Sequence, residues 1–304
     1  MAEGNARRDA RGGGRAAEAK RHTSEMARRF ASEIERAVAD TRVYDGAPRA
    51  SIEGRVPVVT VAEEDSVAAV LARGRGLASA CDLAVLDFAS FTYPGGGYDR
   101  GTMAQEESLC AESFLYNVLT EKRAWYAENR RRNINCDLYR NRALVVPRVR
   151  FERDGFHSYA DVIVAAAPNA RRAREEYRVG DAALLSALRD RVRLVMAIAD
   201  DLGHDKLVLG AFGCGVFGWD AATVAEAFRS ELAGGAHVAS EVTFAIPRGR
   251  ADENLEVFQH ALATFPEPNP EPYRTRAERA AEAARARAAG PAEDEGEDDW
   301  RQYL

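Results

Sequence analysis

The chain has 304 residues, of which 46% are apolar and 30% charged, with a formal net charge of −6. That length holds one large domain or two small ones, each with a sizeable core. The mild acidity excludes a globally basic nucleic-acid binder. No apolar run approaches the ~18 residues of a membrane span, and the N-terminus lacks the apolar region of a secretory signal.

Residues 1–22 are rich in Gly, Ala and Arg and are expected to form a disordered tail. Met26, Phe30, Ile34 and Val38 then recur at spacing four, which predicts a helix over 23–39. Strand-like runs follow at 56–63, 82–90, 142–149, 159–168, 205–213 and 241–247. Helix patterns at 104–127, 181–202, 220–233 and 251–264 fall between or after them. Continuous apolar strands are buried on both faces, so the expected fold is a mixed, largely parallel sheet between two helix layers. The prolines of "FPEPNPEPYR" end that domain near residue 265. The remainder, 266–304, reads as a Pro-rich linker, an Ala/Arg/Glu helix and an acidic, solubilising tail, "EDEGEDD".

Cysteines at 81, 110, 136 and 214 show no C-x-x-C spacing and no histidine cluster. No metal site is expected, and free thiols suit a reducing cytosol. Cys110 and Cys214 lie near glycine loops without a histidine partner, so small buried hydrophobes describe them better than nucleophiles.

Three segments would lie at the carboxyl ends of strands, where open α/β sheets bind ligands. In "YPGGGYDRGTMAQEESLC" the strand at 82–90 runs into Gly95, Gly96 and Gly97, which let main-chain amides approach a ligand closely. Thr102 and Gln105 have capping-box spacing, so a helix is expected to begin near 102. Glu107 lies on or beside the apolar stripe of that helix, where desolvation raises a carboxyl pKa as a general acid requires. The plainer reading is that Glu106 and Glu107 complement the helix dipole, but that reading does not need the three glycines. Adjacent helical residues point about 100° apart, so Glu107 is assigned to chemistry and Glu106 to a ribose hydroxyl.

In "VLGAFGCGVFGWD" a strand leads through Gly210, Gly213, Gly215 and Gly218 to a helix. Such a turn can hold a diphosphate on backbone amides, although it matches neither the P-loop nor G-x-G-x-x-G. Phe217 offers an aromatic face at its tip, or covers the core. In "VIVAAAPNA", Asn169 is placed either to bond a ribose or phosphate or to cap the next turn. Two carboxyls beside a diphosphate cradle point to cleavage of a glycosidic bond in a nucleotide sugar.

The run "PGGG-YDRGTMA-QEE" resembles the GGG-x6–8-QEE signature of poly(ADP-ribose) glycohydrolases. "LDFAS" is similar to the lead-in of that family, and "GAFGCGVF" to the diphosphate loop of its microbial branch. The resemblance spans roughly 23–265. It implies a macrodomain-like three-layer α/β/α sandwich with an N-terminal helical extension, acting by hydrolysis of the ribose–ribose bond of poly(ADP-ribose). By resemblance Glu107 is the acid/base and Glu106 orients the terminal ribose. Gly95, Gly96, Gly97, Gln105, Asp87, Ser90 and Asn169 would bind substrate, and Gly213, Cys214, Gly215, Val216 and Phe217 would hold the diphosphate. The branch is generally exo-acting, and no cofactor is implied. Poly(ADP-ribose) or ADP-ribosylated protein would be the partner, with no nucleic acid and no membrane, for a cytoplasmic monomer. Removal of single ADP-ribose units and non-catalytic ADP-ribose binding remain as alternatives. Tyr93 and Trp219 depart from the family pattern and are expected to border the pocket.

Overall fold

The computed structural model describes residues 2–48 and 54–288 and separates into two compact units, 1–269 and 270–304. The first unit begins with α1 (Ala2–Arg29) and α2 (Ala31–Asp40), followed by β1 (Arg42–Tyr44), β2 (Val58–Ala62), α3 (Ser66–Arg73) and β3 (Leu83–Phe88). Next come α4 (Gln105–Ala111), α5 (Leu115–Glu121), α6 (Arg123–Arg132), β4 (Ala143–Arg153), β5 (Phe156–Ala165) and α7 (Ala170–Tyr177). It ends with α8 (Asp181–Leu202), β6 (Lys206–Leu209), α9 (Ala221–Leu232), β7 (Glu241–Ala245) and α10 (Asn254–Ala261).

The seven strands form one sheet in the order β1-β4-β5-β3-β6-β7-β2. β3, β5, β6, β7 and β2 run parallel to their neighbours on that side, while β4 pairs antiparallel with both β5 and β1. β3 is buried on both faces, because neighbouring side chains in a strand point to opposite sides. Leu86 joins a core with Ile163, Val195 and Phe228, under α8 and α9. Val85 joins the other core, with Val162, Leu109 and Phe114, under the N-terminal helices. The fold is thus a mixed, mostly parallel sheet with helices on both faces.

The N-terminus differs from expectation: residues 2–22, read as a disordered tail, belong to α1. Polar composition concealed the docking of this helix. Ala19 and Met26 are buried, His22 Nε2 bonds the Ser113 carbonyl at 2.9 Å, and the Tyr98 hydroxyl donates to the Ala19 carbonyl at 3.3 Å. The predicted helix over 23–39 breaks at Phe30, whose ring sits 6.3 Å from that of Phe114. The pattern at 104–127 resolves into α4, α5 and the start of α6. Ser113 makes the first break, since its hydroxyl bonds the Leu109 carbonyl and the Leu115 amide in competition with the helix ladder.

The second unit contains α11 (Arg276–Ala288). Thr275 and Glu278 form a capping box there, with Thr275 N donating to Glu278 Oε2 at 2.8 Å and Glu278 N to Thr275 Oγ1 at 3.2 Å. The acidic run at 293–299 lies outside the described residues.

Candidate active site

The site is assembled at the carboxyl ends of β3 and β6. After β3 the chain turns through Gly95 (φ +65°) and Gly96 (φ +59°), a backbone region that costs a residue with Cβ roughly 1–2 kcal/mol. Space is the stricter requirement. A Cβ on Gly96 would lie 2.8 Å from Glu106 Oε2 and 2.8 Å from Glu107 Oε1, and one on Gly95 would lie 2.5 Å from the Tyr116 ring. A Cβ on Gly97 would collide with Thr102 Oγ1. The loop is therefore wrapped directly onto the two carboxyls, which explains why three glycines precede them.

The helix bearing those carboxyls starts at Gln105, not near 102, and no side chain caps it. Gln105 does different work. Its Oε1 accepts from Phe88 N at 2.9 Å, and its Nε2 donates to the Leu86 carbonyl at 2.9 Å and to Ser66 Oγ at 3.1 Å. It thus fastens α4 to the end of β3 and to α3, and its polar groups are already taken up by the protein.

Glu106 is 3% exposed and Glu107 5%. Glu106 Oε2 accepts from Ser90 N at 2.7 Å, while its Oε1 is buried with no partner. Glu107 Oε1 accepts from Gly97 N at 2.9 Å; its Oε2 has no hydrogen bond from the described residues. Beneath them lies Asp87, 0% exposed, with both carboxyl oxygens unpartnered. Burial, and then the charge of Glu107, raise the Asp87 pKa well above the usual carboxylate range. Burial, and then the charge of Asp87, do the same to Glu106. Both shifts favour the protonated forms of Asp87 and Glu106. Asp87 forms no part of the cleft wall, so its expected substrate contact is corrected to a place under the floor.

A stability consequence follows for Asp87. In the unfolded chain its proton leaves near pH ~4. The folded chain holds it to higher pH, so stability declines as pH rises from that point toward the folded pKa. Asp87→Asn should flatten this slope and raise Tm at pH 8 by about 3 °C, the shift that roughly 1 kcal/mol produces in a domain of this size. Thermal melts of both proteins from pH 5 to 8 check it; parallel slopes would refute the buried-proton assignment.

The opposite wall is the loop after β6. Gly213 (φ +79°) fits where a Cβ would meet both Ala167 Cβ and the Trp219 ring at 2.8 Å. Asp220 caps α9, accepting from Thr223 N at 2.8 Å. The N-terminus of α9 is therefore capped by its own side chain. The available donors lie in the loop itself: the amides of Gly215, Val216 and Phe217 donate to no acceptor among the described residues. Consecutive free amides of this kind form an anion-binding nest. Cys214 does not line the cleft, and burial pushes its thiol pKa up to about 12, as expected of an inert hydrophobe.

The two walls enclose one cleft of about 830 Å³. Gly96, Ser90, Gln105, Glu106 and Glu107 line one side, and Gly213, Gly215, Val216 and Phe217 the other. Gly95 and Gly97 stand behind the wall as packing residues. Asn169 is not part of it: its Oδ1 caps α7, accepting from Arg172 N at 3.1 Å. Trp219 is buried, donates to the Pro168 carbonyl at 2.7 Å and does not line this cleft. Sequence reasoning missed Tyr139, whose ring stacks on Phe91 with centroids 4.5 Å apart and meets Phe217 edge-on at 6.2 Å. It also missed the segment after β7, including Ile246 and Asp252. The periodicity of the chain gives no signal for either.

Two carboxyls facing an amide-lined loop, on a three-layer α/β/α scaffold, define a domain shaped to hold a sugar diphosphate against acid–base groups. Residues 15–154 match the family described as "Microbial-type PARG, catalytic domain". Solved structures agree. Poly(ADP-ribose) glycohydrolase from Thermomonospora curvata is 31% identical over 81% of this chain and 98% of its own, with a TM-score of 0.67. Its complex with the inhibitor ADP-HPD is 32% identical over the same shares, TM-score 0.67. The Deinococcus radiodurans enzyme in complex with ADP-ribose is 33% identical over 76% of this chain and 98% of its own, TM-score 0.65. No curated protein matches the chain. The chain belongs to the microbial-type poly(ADP-ribose) glycohydrolase family, and its fold is macrodomain-like.

Proposed function

We propose that this protein is a glycosidase that hydrolyses the ribose–ribose O-glycosidic bond of poly(ADP-ribose). The observation that carries the reading is the convergence of Glu106, Glu107 and the 213–217 loop on one cleft. The terminal diphosphate sits on the free amides of Gly215, Val216 and Phe217, and Phe217 fixes the adjoining ribose. Glu106 Oε1, otherwise unpartnered in the interior, accepts from a ribose hydroxyl; an orphaned buried acceptor calls for such a donor. Glu107 is oriented through Oε1 by Gly97 N, leaving Oε2 to serve the bond. Its carboxyl protonates the leaving ribose oxygen as the glycosidic C–O bond breaks toward an oxocarbenium-like centre. The resulting carboxylate then takes a proton from the water that adds to the anomeric carbon. Such acid–base assistance supplies about 10²–10⁴-fold; the two loops supply positioning.

Attack is read as exo, releasing ADP-ribose from chain ends, by a monomer. No helix among the described residues is long and apolar enough to cross a membrane. The free cysteines among those residues suit a reducing compartment, and we take the cytoplasm as the location. The test is the full chain incubated with poly(ADP-ribose) and, separately, with mono-ADP-ribosylated protein, with products resolved by size. Free ADP-ribose as the first product from polymer is expected. Binding of ADP-ribose with intact polymer would make the protein a reader, and release from the mono-modified substrate alone would make it a mono-ADP-ribosyl hydrolase.

A further inference from the structure

Behind the glycine loop lies a second, smaller cavity of about 280 Å³. Gly96 lines both cavities, so the wall between them is one residue thick. Three guanidiniums line it, those of Arg100, Arg123 and Arg130, against one carboxylate, Asp99. That carboxylate is 4.0 Å from Arg100 Nε. The arginines are oriented by main-chain carbonyls, which hold them without neutralising them. Arg100 Nη2 donates to the Gly96 carbonyl at 3.1 Å, Arg123 Nε to the Thr120 carbonyl at 3.1 Å, and Arg130 Nη1 to the Thr92 carbonyl. Tyr93, 49% exposed, lies within 5.5 Å of the Arg100 guanidinium and 5.2 Å of that of Arg130. Tyr126, also in the wall, is fully buried and its hydroxyl has no partner.

Three guanidiniums lining one small cavity, two of them against the Tyr93 ring, form a site for a polyanionic, phosphate-bearing ligand. The glycosidase reading of the main cleft sets where such a ligand comes from. On that reading the bond to be cut lies by Glu107, against which Gly96 is packed, and the substrate beyond it carries a second diphosphate. We infer that the pocket formed by Arg100, Arg123, Arg130 and Tyr93 binds the diphosphate of the unit adjoining the terminal one, making it a polymer-side subsite. Tyr93 takes its place here, on the far side of the loop from the nucleotide cleft. The inference rests on that polymer-cleaving reading. The subsite makes the enzyme favour polymer over a single ADP-ribose group, because a mono-modified acceptor has no second diphosphate to offer.

Arg123 is the residue to change, since its side-chain hydrogen bond reaches only three residues back, to the Thr120 carbonyl at the end of α5. Arg123→Glu in the full chain is expected to raise KM for poly(ADP-ribose) about tenfold, with a smaller rise for Arg123→Gln and near-normal KM for Arg123→Lys. ADP-ribose affinity by calorimetry should stay within about twofold for all three, which also confirms folding. The KM for polymer should lose part of its salt dependence in Arg123→Glu. Wild-type KM for polymer in Arg123→Glu, with activity intact, would overturn the subsite while leaving the glycosidase reading in place. Absence of polymer cleavage by the wild type would instead overturn the reading itself. Inorganic pyrophosphate titrated into ADP-ribose-saturated protein separates the two possible ligand sources. Binding that Arg123→Glu abolishes, without any change in polymer KM, would assign the pocket to a free diphosphate and refute the polymer subsite.

Discussion

Glu107→Gln is expected to bind ADP-ribose within about twofold of wild type and to release ADP-ribose from polymer about 10³-fold more slowly. Glutamine matches glutamate in shape, and its carbonyl oxygen can still accept the Gly97 amide that holds Glu107 Oε1 at 2.9 Å. The loop and the ribose pocket are thereby kept. What disappears is a group able to give a proton to the leaving oxygen and take one back from water. Calorimetry with ADP-ribose and single-turnover product release with polymer measure the two halves independently. A loss of less than about tenfold in turnover would move the acid–base role off residue 107. Glu106 would then be the replacement, since burial and the neighbouring Asp87 already keep its carboxyl protonated at higher pH.

The second large effect is expected from one methyl group. Gly96→Ala places a Cβ 2.8 Å from an oxygen of each glutamate, in a backbone conformation with φ near +59°. Neither the loop nor α4 can yield freely, because Gln105 ties α4 to β3 through Phe88 N and the Leu86 carbonyl. The glutamates must swing, and misplacement of about 1 Å costs a reaction about 10²-fold. We expect kcat/KM for polymer to fall by about that factor, with ADP-ribose binding weakened as well because Glu106 moves with Glu107. Gly215→Ala is the internal control, since nothing lies within 4 Å of its added Cβ. If the two variants behave alike, the requirement for glycine comes from loop flexibility and not from contact with the carboxyls.

Much of this architecture was legible in the chain. Six of the strands and the long helix α8 stand where apolar runs and periodicity place them, because continuous burial leaves a continuous apolar record. The glutamates and the 213–217 loop were legible because glycine at a close approach has no substitute. The misreadings share a cause. Asp87 and Asn169 are polar residues at strand ends and Gln105 opens the helix beside them; sequence suggests ligand contacts there, yet their partners are the protein's own groups or, for Asp87, the low-dielectric interior. α1 was hidden because its stability comes from tertiary contacts at Ala19, His22 and Met26 and not from composition. Tyr139 was beyond reach for another reason: it follows a run of residues with positive φ (Asn135, Cys136 and Asp137) that no propensity forecasts.

Arg191 determines what that unusual loop can do. It is 1% exposed and pairs with no carboxylate; instead its fork grips the carbonyls of Ala166, Tyr139 and Arg140 and the side chain of Asn141. Burial lowers its pKa to about 10, which still leaves it cationic under physiological conditions. A planar cation clasping oxygens from two separate segments makes Tyr139 an outrigger of α8. The aromatic end of the cleft is thus braced by a long helix that contributes no residue to the cleft wall.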